Sequence, residues 1–224
     1  MIGGTQRCVH KLCEPLWEGS FHCLSPIPTR KELFMRVMMM VMFLVGWFPF
    51  TFFAETSHGK ELELIAIGVR GAMNFQDAGL PPGEKEDFEQ FDVFGIMGLP
   101  WSWEYPSGWE MRWRLNGSVG ALRGASDEVG FITTLTPGLA FTKKAWRLTL
   151  DVGGGGALLS DWEFGRQDIG GPFQFIGHGG ISFHLPMNLV AGYRFHHMSD
   201  ATIYGNNNRG VDLHMLELSY SFEK

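Results

Sequence analysis

The sequence predicts an all-β chain that closes into an eight-stranded antiparallel transmembrane β-barrel. Three observations carry that prediction. From Lys60 onward no segment repeats at a helical period and no long apolar run occurs; apolar and polar residues alternate instead. The alternating segments are about 10 to 13 residues long, which suits a tilted strand crossing a bilayer better than an ordinary strand of about 5 to 6. Before them stands a stretch with the three parts of a secretory signal.

Composition limits the function classes. The chain has 224 residues, enough for one domain with a leader. Its formal net charge is -6 with no basic stripe, so nucleic acid is not an expected partner. Glycine is frequent (30 residues) and aromatics make up 14%, a mixture that suits closely packed strands. Cys8, Cys13 and Cys23 all lie near the start, with His10 and His22 nearby. No CxxC pair is present, so zinc is disfavoured there.

Residues 1–34 show no sustained period and read as an extension that is not part of the mature protein. Residues 35–59 read as the signal peptide. Met35-Arg36 gives a positive start, Val37 to Phe53 is almost entirely apolar, and a polar stretch with small residues at Ser57 and Gly59 follows. Cleavage is expected after Gly59, with Ala54 the alternative. An uncleaved membrane helix is the competitor, but Pro49 interrupts the run and its length is minimal for a span. Residues 60–224 then form the barrel.

The strands follow in order, separated by Gly/Pro/Asn/Asp turns. The first covers 62–75, and a polar loop covers 77–89. The second covers 90–99, followed by a Trp- and Pro-containing connection over 100–108. The third, 109–122, sets Met111, Trp113, Leu115, Val119 and Ala121 against Arg112, Arg114, Asn116 and Ser118. After a turn at 123–127, the fourth covers 128–142, and Lys143-Lys144 turns the chain. The fifth, 145–156, sets Trp146, Leu148, Leu150 and Val152 against Arg147, Thr149 and Asp151. A loop over 157–171 leads to the sixth strand, 172–185, with Phe173, Phe175, Ile181 and Phe183 against Gln174, His178, Ser182 and His184. The seventh and eighth cover 187–199 and 211–222.

An eight-stranded barrel has an interior just filled by side chains. Arg112, Arg114, Arg147, Asp151, Glu217, His178 and His184 are therefore expected to form a buried polar network, not a pore. With a periplasmic N-terminus, the connections after strands one, three, five and seven lie outside the cell.

The chemistry gathers at the end of strand seven. Successive strand residues point to opposite faces. His197 and Ser199 therefore share the apolar, lipid-facing side with Leu189, Ala191, Tyr193 and Phe195, while Arg194 and His196 face inward. Asp212 opens strand eight on the same side. A serine needs a base to become a nucleophile, histidine is that base near neutral pH, and a carboxylate fixes its tautomer. His196 has the wrong parity to serve Ser199. His178, His184 and His196 share interior parity but lie on separate strands, and no metal site is expected. No phosphate loop or dinucleotide fingerprint is present, and no cofactor is implied.

The run Phe195-His196-His197-Met198-Ser199-Asp200-Ala201, the following Asn208-x-Gly210-Val211-Asp212 and the aromatic last strand resemble the PagL-type lipid A 3-O-deacylases. The resemblance covers about the last 35 residues. It implies an eight-stranded outer-membrane barrel that hydrolyses the 3-hydroxyacyl ester at the 3-position of lipid A. Lipopolysaccharide of the outer leaflet would be its partner, and a homodimer is left open. It assigns Ser199 as nucleophile, His197 as base and Asp212 as orienting acid. The family pattern has Glu where Asp212 stands and Asn where Asp200 stands. Asp200 falls at the position tied to the oxyanion hole, and Asn208 and Gly210 are expected to shape the loop, Gly210 through a positive φ. A non-catalytic structural or adhesion barrel and a phospholipase or acyltransferase on the same scaffold are the alternative readings.

Overall fold

In the computed structural model the described residues are 61–75, 79–80, 84–124, 128–205 and 210–223. The expected extension and signal peptide lie outside them, as does Asn208.

Eight long strands close into an antiparallel meander. They are β1 (Glu63–Met73), β2 (Phe88–Glu104), β3 (Trp109–Gly124), β4 (Val129–Lys143), β5 (Leu148–Leu159), β8 (Phe173–His184), β9 (Leu189–Ser199) and β10 (Val211–Ser221). Each pairs with the next, and β1 pairs with both β2 and β10, which leaves no free edge. The remaining two, β6 (Glu163–Phe164) and β7 (Gln167–Asp168), form a small hairpin within the connection between β5 and β8.

Alternation decides which side of the wall each residue takes. Outward-pointing Phe131 (74% exposed), Leu216 (72%), Phe91, Val119 and Leu135 stand clear of the protein. Arg70, Asp92, Arg112, Asn116, Ser118 and Arg194 are buried inside. This inside-out distribution fits a barrel standing in lipid.

The interior has two zones. Toward the longer connections it is apolar: Phe88, Leu122, Ile132, Leu159, Ile176, Met198, Leu213 and Met215 pack with Phe164 and Ile169 around the β6–β7 hairpin. Phe88 and Phe164 meet edge to face at 5.5 Å. Deeper in, charges pair. Arg70 donates to Asp92 at 2.7 Å, to Ser118 Oγ at 2.8 Å and to Glu217 at 3.3 Å. Arg194 holds Glu217 at 2.7 Å and Asp151 at 2.8 Å, and His178 lies 3.4 Å from Asp151. At the short-turn end Arg112 pairs with Glu63 at 2.7 Å and Arg114 with Glu223 at 3.4 Å.

Several boundaries differ from the sequence expectation. Strand β2 continues through Pro100 to Glu104. A register irregularity between Gly98 and Ser102 takes the proline where the ladder is broken, so its missing N–H leaves no partner waiting. The turn to β3 is then short and has Gly108 at φ 77°. The fifth strand begins at Leu148, not at 145. Lys144–Trp146 form a 3-10 turn, and Arg147 takes a left-handed φ of 53° in the turn itself. Arg147 is therefore exposed and does not join the interior network. His184 sits near the short-turn end, with its Nε2 3.0 Å from Thr149 Oγ1. Met187 and Asn188 make the β8–β9 turn with φ near 60°, and the Asn188 amide donates to Tyr220 OH of β10 at 3.3 Å.

Candidate active site

Strand β9 places His196 and Met198 inside, both buried, and turns His197 and Ser199 outward. Cross-strand register puts Asp212 of β10 directly opposite His197. Directly opposed residues have Cβ atoms about 5 Å apart, close enough for an aspartate to reach an imidazole. His197 Nδ1 and Asp212 Oδ1 are 2.5 Å apart. Asp212 is only 3% exposed although it points to the outer wall. Its second oxygen, Oδ2, accepts the Leu80 N–H. Its own N–H donates to Glu84 Oε1 at 2.7 Å.

On its other flank His197 faces Gly177 of β8, and Ser199 faces Phe175. A Cβ at Gly177 would meet nothing within 4 Å, so the wall beside His197 is open to a substrate on the side away from Asp212.

Gly210 precedes β10 and is required by space, not by conformation. Its φ is not in the left-handed region, contrary to the sequence expectation. A Cβ there would lie 2.7 Å from Met198 O, 3.1 Å from His197 Cε1 and 3.3 Å from Ser199 Cβ. Any side chain at Gly210 would press on both groups.

Asp200 turns inward and is nearly buried. Its Oδ1 accepts the Thr202 N–H at 2.9 Å and its Oδ2 the Tyr204 N–H at 3.1 Å. These bonds brace Ala201 and Thr202, which have φ of 50° and 70°. A β-branched residue at such a φ is rare and needs support of this kind. His214 also lies on the outer wall, but its Nδ1 pairs with Tyr193 OH at 2.6 Å and its ring packs on Phe75 and Phe195.

Residues that sequence reasoning missed come from other connections. Leu80 acts through a backbone N–H, which no residue pattern reports. Gln167 of β7 accepts the Lys85 N–H at 2.6 Å and donates to Gly210 O at 3.1 Å, so it ties the first connection to the last. Arg166 donates to Glu86 from its backbone N–H at 2.9 Å and from Nε at 2.8 Å. The side-chain bond from Arg166, ahead of the backbone one, holds the Glu86 carboxyl below the ordinary carboxylate range.

A closed eight-stranded barrel with an apolar outer wall defines a class, the small outer-membrane-type barrels, and this one carries a His–Asp pair on its outer face near the longer loops. The sequence profile described as lipid A 3-O-deacylase (PagL) matches residues 91–221, and the chain belongs to that family. Among solved structures it is similar in fold to the crystal structure of the outer membrane enzyme PagL. The TM-score is 0.55 at 16% identity, over 69% of this chain and 97% of that one. The Yersinia pestis outer membrane protein Ail, in its backbone structure in a phospholipid bilayer nanodisc, aligns with TM-score 0.40 at 13% identity, over 71% and 99% of the two chains. No curated protein matches the sequence.

Proposed function

We propose that this chain is an outer-membrane esterase that releases the 3-O-linked hydroxyacyl chain of lipid A. The observation that carries the reading is the His197–Asp212 pair beside Ser199 on the lipid-facing wall, in a member of a lipid A deacylase family. With Nδ1–H donating to Asp212, the lone pair of His197 is on Nε2, the nitrogen left for the Ser199 hydroxyl. Ser199 Oγ attacks the ester carbonyl and His197 takes its proton. The tetrahedral intermediate collapses, the sugar C3 oxygen leaves, and His197 returns the proton to it. Water then attacks the acyl-serine with the same base and frees a 3-hydroxy fatty acid. No cofactor enters this sequence.

The oxyanion needs donors. Asp200 accepts two N–H bonds, so its part is to hold the loop, and the donors are backbone N–H groups near Ser199. The longer loops face the cell exterior, which sets the site at the outer leaflet where lipid A resides. The homodimer left open by the sequence has no support from the family or the fold comparison and is not part of the proposal.

Mass spectrometry of lipid A from cells expressing the chain from Met35, beside Ser199→Ala, tests this. Loss of one hydroxyacyl chain with wild type alone is expected. Unaltered lipid A with a folded, heat-modifiable barrel in the outer membrane would overturn it.

A further inference from the structure

The connection between β1 and β2 reaches the wall at Asp212, and we infer that Gly79, the Leu80 N–H and Glu84 are positioning groups that fix the Asp212 carboxylate toward His197. The inference rests on the reading of Asp212 as the orienting acid and extends it to a segment that precedes the family-matched residues 91–221.

Asp212 has two carboxylate oxygens and both are committed. Oδ1 takes the imidazole Nδ1, and Oδ2 takes the Leu80 N–H. The residue is nearly cut off from water, so an oxygen without a protein donor would stay unsatisfied. A backbone donor has no side-chain torsion to relax, so it fixes the plane of the carboxylate as well as satisfying it. Glu84 fixes the other end of the residue by accepting the Asp212 N–H at 2.7 Å. That N–H lies at the start of β10, where the ladder is about to end. Gly79 makes the approach possible, because a Cβ there would stand 2.8 Å from Asp212 Oδ2 and 3.3 Å from its Cβ.

The segment is itself anchored beyond the acid. Gln167 bridges the Lys85 N–H and Gly210 O, and Arg166 grips Glu86. Asp212, the Gly210 backbone and residues 84–86 are therefore held in one hydrogen-bonded frame across three connections. The frame acts on orientation alone; none of its groups faces the open wall over Gly177.

The test compares the purified full barrel with Gly79→Ala, Glu84→Ala and Glu84→Gln in detergent micelles, using purified lipid A as substrate. Two readouts are taken: kcat against KM, and the low-field proton resonance of His197 Nδ1, assigned by its loss in Asp212→Asn. Gly79→Ala and Glu84→Ala are expected to lower kcat about 10- to 100-fold with KM nearly unchanged. Both should displace the His197 resonance, and Glu84→Gln, which keeps an acceptor oxygen, should restore both readouts. Wild-type kcat with an unmoved resonance in the two disruptive variants would overturn the inference. So would a fall in folded barrel, or a rise in KM alone, with the resonance unmoved. Retained activity in Ser199→Ala would instead sink the catalytic reading, while the resonance would still report whether the loop holds Asp212.

Discussion

His196 and His197 are neighbours in the chain and occupy opposite environments. His196 is buried inside the barrel, across from His178 of β8. His197 stands on the outer wall with Asp212 at 2.5 Å. Strand parity alone separated them, and that separation was legible in the sequence because β9 has no bulge to reset the alternation. It predicts that His197→Ala lowers kcat by about a thousandfold or more, whereas His196→Ala leaves it within about tenfold. Single-turnover assays on the two folded barrels check this, and the reverse ranking would overturn the assignment. Gly210 shows the limit of the same reasoning. Its glycine is expected from sequence to serve a positive φ, but its value lies in the volume that it leaves to His197 and Ser199, which depends on how β9 pairs beside it. Asp200 is similar: its carboxylate accepts N–H bonds from neighbours along the chain, a use that its residue type alone does not announce.

At the scale of elements, the alternation located all eight barrel strands, and the departures all occur where local chemistry interrupts a pleat. Pro100 sits inside β2 because an irregularity accommodates it. Arg147 matches strand parity but lies in a turn, since the chain reverses through a left-handed residue there. The β6–β7 hairpin is not legible in the sequence because two-residue strands carry no periodicity; it brings Phe164 and Ile169 over the apolar half of the interior. The hairpin is tied to the first connection by Arg166 and Glu86. Because the folded-state value of Glu86 is depressed, the tie contributes in full above the ordinary carboxylate value and is lost as pH falls through the lowered one. Hydrogen exchange at the Arg166 amide, which donates to Glu86 Oε1, is therefore expected to lose protection as pH falls below the ordinary carboxylate range, and Glu86→Gln should remove that pH dependence. An acid response of equal size in Glu86→Gln would show that another group is responsible.

As a whole the barrel is a wall with its polarity reversed: apolar outside, charged within. Glu217 is the hinge of the inner network, since it pairs with both Arg70 and Arg194. Removing it strands two buried guanidiniums with reduced compensation, a loss of about 3–5 kcal/mol for a broken buried pair. Glu217→Ala is accordingly expected to unfold at markedly lower denaturant than wild type, with Glu217→Gln in between. Equal midpoints for all three, read from the heat-modifiable gel shift, would show that the network is dispensable. The sequence indicated Asp151, Glu217 and His178 of this network, but neither Arg70 nor Asp92, and not who pairs with whom, because pairing inside a barrel follows shear and tilt.

Alternating hydrophobicity over long segments fixed the strand number, the inside and outside faces and the shared side of His197, Ser199 and Asp212, since side-chain direction in a strand depends only on parity. The motif at residues 195–212 carried the family resemblance for the same reason, being a local run of residue types. Only the closed barrel brought β10 beside β1 and the first connection over Asp212. That contact joins residues more than a hundred positions apart through a backbone N–H, and a backbone N–H is common to nearly every residue, so its partner emerges only when the wall closes and the connections pack.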